Sequence, residues 1–167
     1  MGSGKSTTGR KIASALRWSF IDTDRLIEEQ NGLSVSELFT VHGEQYFREA
    51  ETRALITASE RSRTVVACGG GTPCSDKNIG IMKETGVILY LKLPVDILVS
   101  RLERSKTQRP LLANNGETGL RVKVQELLEK RTVWYEQADI IAEGQITSIE
   151  KLTGQLAGLI RDRGAFL

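Results

Sequence analysis

The sequence opens Met1-Gly2-Ser3-Gly4-Lys5-Ser6-Thr7-Thr8-Gly9-Arg10, and this stretch decides the fold. Gly4-Lys5-Ser6 is the closing half of the phosphate-binding pattern G-x-x-x-x-G-K-[ST]. Its glycines let successive backbone N–H groups turn inward on phosphate oxygens. On this reading Gly2, Ser3, Gly4, Lys5, Ser6 and Thr7 form a nucleotide cradle. Lys5 reaches the β- and γ-phosphates, the Ser6 hydroxyl sits on Mg²⁺, and the helix starting near Lys5 turns its positive end toward the same anion. The full pattern places its first glycine further upstream, behind a buried strand. Either an upstream segment is lost or left out, or Met-Gly-Ser is an expression scar and the match is an accident. The expectation is that a chain beginning at Met1 folds poorly or borrows a strand from a neighbour, and that a well-folded protein carries residues before Met1 that end close to Gly-x.

Length and composition set the frame for that loop. The chain has 167 residues, 40% hydrophobic and 26% charged, as expected of one soluble globular domain with one packed core. A net charge of +2 gives no bulk electrostatic case for nucleic acid or membrane. No apolar run approaches the ~20 residues that cross a bilayer. Cys68 and Cys74, with the single histidine His42, are too few ligands for a structural zinc site. They read as reduced thiols of a cytoplasmic protein.

Downstream, strands alternate with helices. Helical spacing runs from Lys5 to Leu16, and Trp18 to Ile21 is a short strand leading into Asp22-Thr23-Asp24. A helix over Asp24 to Gln30 is stopped by Asn31-Gly32. Ser34 and Glu37 make a capping box for a helix through Phe39. Gly43 ends that element, and a charged helix follows from Glu44 to about Ser59. Thr64 to Cys68 is a buried strand feeding Gly69-Gly70-Gly71. Further on come a helix over Asp76 to Glu84, a strand over Val87 to Leu93, and a helix that Asp96 can cap, running to about Ser105. A polar segment without period then spans about 104–118. A helix over Leu120 to Tyr135, a strand over Asp139 to Ala142 and a helix over Ser148 to Arg161 complete the chain. The pattern predicts a single α/β domain with one parallel sheet, helices on both faces, and its N-terminal strand apparently missing. The ligand site of such a sheet lies beyond the strand C-termini. That edge collects Asp22, Asp24, Gly69 to Gly71 and the phosphate loop.

Gly4-Lys5-Ser6, Asp22-Thr23-Asp24, Gly43-Glu44 with Phe47-Arg48, Gly69-Gly70-Gly71, Arg109-Pro110-Leu111-Leu112, and Arg131 near Tyr135 together resemble the shikimate kinase family, P-loop enzymes of nucleoside-monophosphate-kinase type. The resemblance runs from Met1 to about Tyr135. It implies transfer of the γ-phosphate of MgATP to the 3-hydroxyl of shikimate in aromatic amino-acid biosynthesis, by a cytoplasmic monomer with no nucleic-acid partner. By the same resemblance Asp22 joins Ser6 in holding Mg²⁺, and Asp24 contacts the reacting hydroxyl, as base or as orienting group. Arg48 and Arg131 clamp the substrate carboxylate, because a guanidinium offers the paired donors that a lysine lacks. Gly69, Gly70 and Gly71 approach the ring hydroxyls, and Arg109 closes over ATP from a lid at about 104–118. The substrate-binding helical segment is about 24–60. Arg101 or Arg104 faces adenine. The family's Thr- and Pro-containing adenine loop is replaced here by Glu143-Gly144-Gln145-Ile146-Thr147-Ser148.

Each of these residues also has a plainer role. Asp24 can cap a helix, most arginines on charged helices are solvated, and a triple glycine can be a turn. His42, at a helix end, is given no function, and Trp18 and Trp134 are given packing roles. Two other functions stay open: another small-metabolite P-loop kinase such as a gluconate kinase, and a non-catalytic nucleotide-binding protein of the same shape.

Overall fold

The computed structural model describes residues 2–104, 117–144 and 148–164. In chain order the elements are α1 (Lys5–Leu16), β1 (Ser19–Asp22), α2 (Thr23–Asn31), α3 (Val35–Ser59), β2 (Thr64–Ala67), α4 (Asp76–Thr85), β3 (Leu89–Lys92), α5 (Val95–Glu103), α6 (Glu117–Tyr135), β4 (Ile140–Glu143) and α7 (Ile149–Arg163).

Local chemistry sets most boundaries. Ser34 and Glu37 form both bonds of the expected capping box, and Gly32 ends α2 in the left-handed region at φ 67°. Gly43 does not end α3 outright. It kinks it, at φ 81° and ψ 175°, a backbone region that glycine enters without steric cost. The element opening at Val95 is capped differently from the expectation. Pro94 precedes it with no side-chain cap, and Asp96 instead pairs with Arg121 of α6. The strand expected from Val87 pairs only from Leu89. Ile88 N–H donates to the Asp139 carboxylate at 2.7 Å, so a side chain stands in for the ladder there.

The strands are parallel, as expected. Among the described residues β1 pairs with β2, from Ser19↔Thr64 to Asp22↔Ala67, and β3 pairs with β4, from Leu89↔Ile140 to Lys92↔Glu143. The two pairs are separate ladders. A cleft lies between β2 and β3, so their facing edges do not meet.

Three apolar clusters hold the domain. Ile27, Leu38, Phe47, Ala50 and Ala54 join α2 to α3. Leu98, Val99, Leu102 and Val124 join α5 to α6. Ile12, Leu152, Leu156 and Ile160 join α1 to α7 and pack on Val65 and Leu89, one from each ladder. The third cluster therefore roofs both ladders on one face. The C-terminal ends of β1 and β2 deliver Asp22-Thr23-Asp24 and Gly69-Gly70-Gly71 to the rim where α1 begins.

Candidate active site

The phosphate loop has the backbone its glycines permit. Gly4 is at φ 84°, ψ 21° and Gly2 at φ 64°, conformations that side-chain-bearing residues rarely hold. No side chain caps α1, so its leading N–H groups are left to an anion. Arg101 Nη1 donates to the carbonyls of Ser3 (3.1 Å) and Gly2 (3.4 Å). It braces the phosphate loop from α5.

Behind the loop, Ser6 Oγ donates to Asp22 Oδ2 at 2.6 Å, which brings the two expected metal ligands together. Asp22 Oδ1 accepts from Asp24 N–H at 3.2 Å, making Asp22 the N-cap of α2. Capping, the plainer role considered for Asp24, thus falls to Asp22. Asp24 sits in the first turn with Oδ2 3.8 Å from Lys5 Nζ. The intervening Thr23 is fully buried. Its hydroxyl donates to Ala67 O (3.4 Å) and accepts from Gly69 N–H (3.2 Å), tying the exit of β1 to that of β2.

Gly69 lets the chain pass between two carboxylates. A Cβ there would lie 2.6 Å from Glu51 Oε1 and 2.9 Å from Asp24 Oδ1. At Gly71 a methyl would overlap Arg48 Nη1. Gly70 contributes its carbonyl, which accepts from the Tyr135 hydroxyl at 2.5 Å.

Arg48 is held on two sides. Its Nη1 donates to Glu51 Oε2 at 2.5 Å, and Nη2 and Nε donate to Glu44 Oε1 at 2.7 and 3.2 Å. Burial alone would lower its pKa, but the Glu51 and Glu44 carboxylates outweigh that and raise it. Glu51 is 2% exposed and also accepts from Thr72 Oγ1 at 2.7 Å. Arg131 is 8% exposed, unlike the other cations of α6 that competed with it in the sequence. Arg121 pairs with Asp96 at the surface, and Lys130 is exposed. Both Arg48 and Arg131 act on the Cys74 thiol, whose pKa burial nevertheless raises. Arg48 itself lies against Gly71 of the glycine loop. Tyr135, near Arg131 and with its ring tilted against that of Tyr90 at 4.9 Å between centroids, also has its pKa raised by burial. Cys68 is pushed up to about 12 by burial, and both cysteines are free thiols.

Sequence reasoning missed Thr23, Glu51, Thr72 and Tyr135. Thr23 and Tyr135 stood in the quoted motifs without a role, and Glu51 left a trace as an acid three residues after Arg48 on a helix. His42 is exposed and stacks on Tyr46 at 4.6 Å. Arg109, nearly all of the expected lid, and Gln145 to Thr147 of the adenine segment lie outside the described residues.

The donors at the loop suit Mg²⁺. Ser6 and Asp22 offer hard oxygens side by side. Among the described residues no cluster of three or more His, Cys, Asp or Glu forms a cage. Mg²⁺ uses one or two carboxylates and takes its other ligands from water and substrate phosphates.

Comparison with known proteins points to one family. The family model described as shikimate kinase matches residues 1–160. A shikimate kinase of Caldanaerobacter subterraneus subsp. tengcongensis is 38% identical over 156 residues, covering 93% of this chain and 89% of the relative. The crystal structure of shikimate kinase from Bacteroides thetaiotaomicron superposes with a TM-score of 0.86 at 37% identity, over 96% of this chain and 94% of that one. The Acinetobacter baumannii enzyme, solved in complex with shikimate, gives 0.85 at 32% identity, over 98% and 89%.

Proposed function

The chain belongs to the shikimate kinase family, and from that premise we propose that it transfers the γ-phosphoryl group of ATP to the 3-hydroxyl of shikimate. The observation that carries this reading is the glycine loop that meets Arg48 at Gly71 and Asp24 at Gly69, with the buried guanidinium of Arg131 acting on the same thiol as Arg48. A phosphate loop serves many kinases. A carboxylate clamp beside a close-approach glycine loop fits a ring acid with several hydroxyls, and is surplus to a gluconate kinase.

Residues 1–167 act as one P-loop kinase domain, with 24–60 as substrate-binding segment and 104–118 as lid. The substrate carboxylate is held by Arg48 and Arg131 through paired N–H donors. Its ring hydroxyls meet the backbone of Gly69, Gly70 and Gly71. The attacking hydroxyl is directed to Asp24, which orients it and takes its proton as the new O–P bond forms and the bond to ADP breaks. Lys5 and the N–H groups of Gly2 to Thr7 neutralise the β- and γ-oxygens, and Arg109 adds a further cation when the lid closes. Ser6 and Asp22 would hold Mg²⁺, which supplies charge neutralisation across the phosphates.

A coupled ADP-release assay over shikimate, gluconate and nucleoside monophosphates tests the proposal. Turnover with shikimate alone is expected. In Arg48→Lys and Arg131→Lys the KM for shikimate should rise about tenfold or more, with the KM for ATP near its starting value. An unchanged KM for shikimate in both variants removes the clamp, and turnover of gluconate in its place removes the substrate.

A further inference from the structure

A closed circuit of hydrogen bonds begins and ends at Arg48. Its Nη1 donates to Glu51 Oε2 at 2.5 Å. The other oxygen of that carboxylate, Oε1, accepts from the Thr72 hydroxyl at 2.7 Å. The carbonyl of Thr72 accepts from Asn78 Nδ2 at 2.7 Å. Asn78 Oδ1 accepts from the Thr52 hydroxyl at 3.0 Å, and the same hydroxyl lies 3.1 Å from the carbonyl of Arg48. Glu51, Thr72 and Asn78 are 2%, 1% and 5% exposed, so the middle of the circuit is shut away from water.

A buried carboxylate is stable only when both of its oxygens are bonded. The Thr72 hydroxyl takes Oε1 and so leaves Oε2 to Arg48. With Nη1 held there, the guanidinium turns its Nε–Nη2 edge the other way, where Glu44 meets it. Thr72 follows directly on Gly69 to Gly71, and its N–H donates to the Gly69 carbonyl at 3.2 Å. Asn78 pins Thr72 to the first turn of α4, where the Asn78 N–H rests on Ser75 Oγ at 3.2 Å. The loop that approaches the ring hydroxyls thus also holds the group that anchors the carboxylate.

We propose that Thr72 is a positioning residue for substrate binding. Acting through Glu51, its hydroxyl sets where Arg48 presents its outward pair of donors, and with that the span between the carboxylate anchor and the glycine loop. That span selects acids whose ring hydroxyls lie at a fixed distance from the carboxylate. The inference rests on the reading of Arg48 as the carboxylate anchor. A valine at position 72 keeps the size and shape of threonine but lacks the donor, and leaves Glu51 Oε1 buried without a partner. That oxygen then draws on the nearest donor, the Arg48 guanidinium, and turns it out of register.

Thr72→Val tests this, with Thr72→Ser as the conservative rescue, both assayed well below their thermal midpoints. In Thr72→Val the KM for shikimate should rise about tenfold or more, with kcat and the KM for ATP near their starting values. Thr72→Ser should recover most of the loss. In an Arg48→Lys background Thr72→Val should add less than about a twofold change, because the group it acts through is gone. The Arg48 Nε–H signal in the ¹⁵N spectrum of the free protein, assigned by its loss in Arg48→Lys, should exchange with water about fivefold faster or more in Thr72→Val. Thr72→Ala carries the same measurements if the valine variant does not fold. An unchanged KM for shikimate overturns the proposal, and so does an equal rise in the Arg48→Lys background. A serine variant that recovers nothing, or an Arg48 signal that does not move, overturns it too. A wild-type chain that does not turn over shikimate removes the substrate reading instead, and the Arg48 signal then decides the role of Thr72 by itself.

Discussion

Replacing Glu44 with glutamine should tighten shikimate binding. Arg48 presents its Nε–Nη2 edge to Glu44 and its Nη1 to Glu51. A substrate carboxylate needs two parallel donors, and only one edge can be surrendered cheaply. The Glu44 side chain is 57% exposed and that of Glu51 2%. An exposed i,i+4 ion pair is worth about 0.3–0.5 kcal/mol and rarely more than ~1 kcal/mol. Removing the charge of Glu44 lifts that competition, so KM for shikimate should fall about twofold and by no more than about fivefold. Breaking a buried pair costs about 3–5 kcal/mol. Glu51→Gln should therefore raise KM by about tenfold or more and lower the thermal midpoint, because it takes away the charge that holds Arg48 in place. Steady-state rates at saturating ATP, in low salt and in 0.5 M salt, give the comparison. Half-molar salt should narrow the Glu44→Gln difference, since the pair is exposed, and leave the Glu51→Gln difference largely intact. A KM that rises in Glu44→Gln, or moves alike in the two variants, would refute the reasoning and make Glu44 a second positioning group.

Three other outcomes are expected. Gly71→Ala places a methyl on Arg48 Nη1 without disfavoured backbone angles, so KM for shikimate should rise while the melting temperature holds; an unchanged KM would mean that the guanidinium relaxes freely. Asp24→Asn should lower kcat about 10²-fold or more with ATP binding near normal, whereas Asp22→Asn should mainly raise the Mg²⁺ requirement; mild, equal losses would remove both assignments. With its thiol pushed up to about 12, Cys68 stays protonated below that pH and gains thiolate only as pH approaches it. At pH 8 its thiolate fraction is roughly 10⁻⁴, so iodoacetamide labelling followed by peptide mass analysis should leave Cys68 unmodified, and rapid labelling would contradict the burial.

The sequence was most legible where the physics is local. Gly4-Lys5-Ser6 needs only its own backbone to declare a phosphate loop, and the box at Ser34 and Glu37 or the stop at Gly32 involves neighbours in the chain. The proposed clamp was suggested only through resemblance. Arg131 and Arg121 look alike on a helix until the fold buries one and pairs the other with Asp96. Glu51, Thr72 and Thr23 escaped because their roles come from partners far away in sequence, such as Glu51 with Thr72 and Thr23 with Gly69. A buried polar group announces itself only when the chain has closed around it. The separation of the two ladders was legible in outline, because a parallel sheet short of its first strand leaves two edges unpaired, but hydrophobic runs alone do not say which edges meet.

That separation also bears on how the chain finds its shape. The β1–β2 ladder closes a loop of roughly 45 residues and the β3–β4 ladder one of roughly 50, and loops of such similar length differ in closure entropy by only about 0.1 kcal/mol. Chain entropy therefore gives neither half precedence. The order is left to side-chain contacts: the α2–α3 cluster around Ile27 and Phe47 beside the first ladder, and the α5–α6 cluster around Leu98 and Val124 near the second. Refolding of such a molecule is expected to start from either of two nuclei of nearly equal standing. The shared roof of Ile12, Leu156 and Ile160, which needs both halves in place, is the last piece to lock.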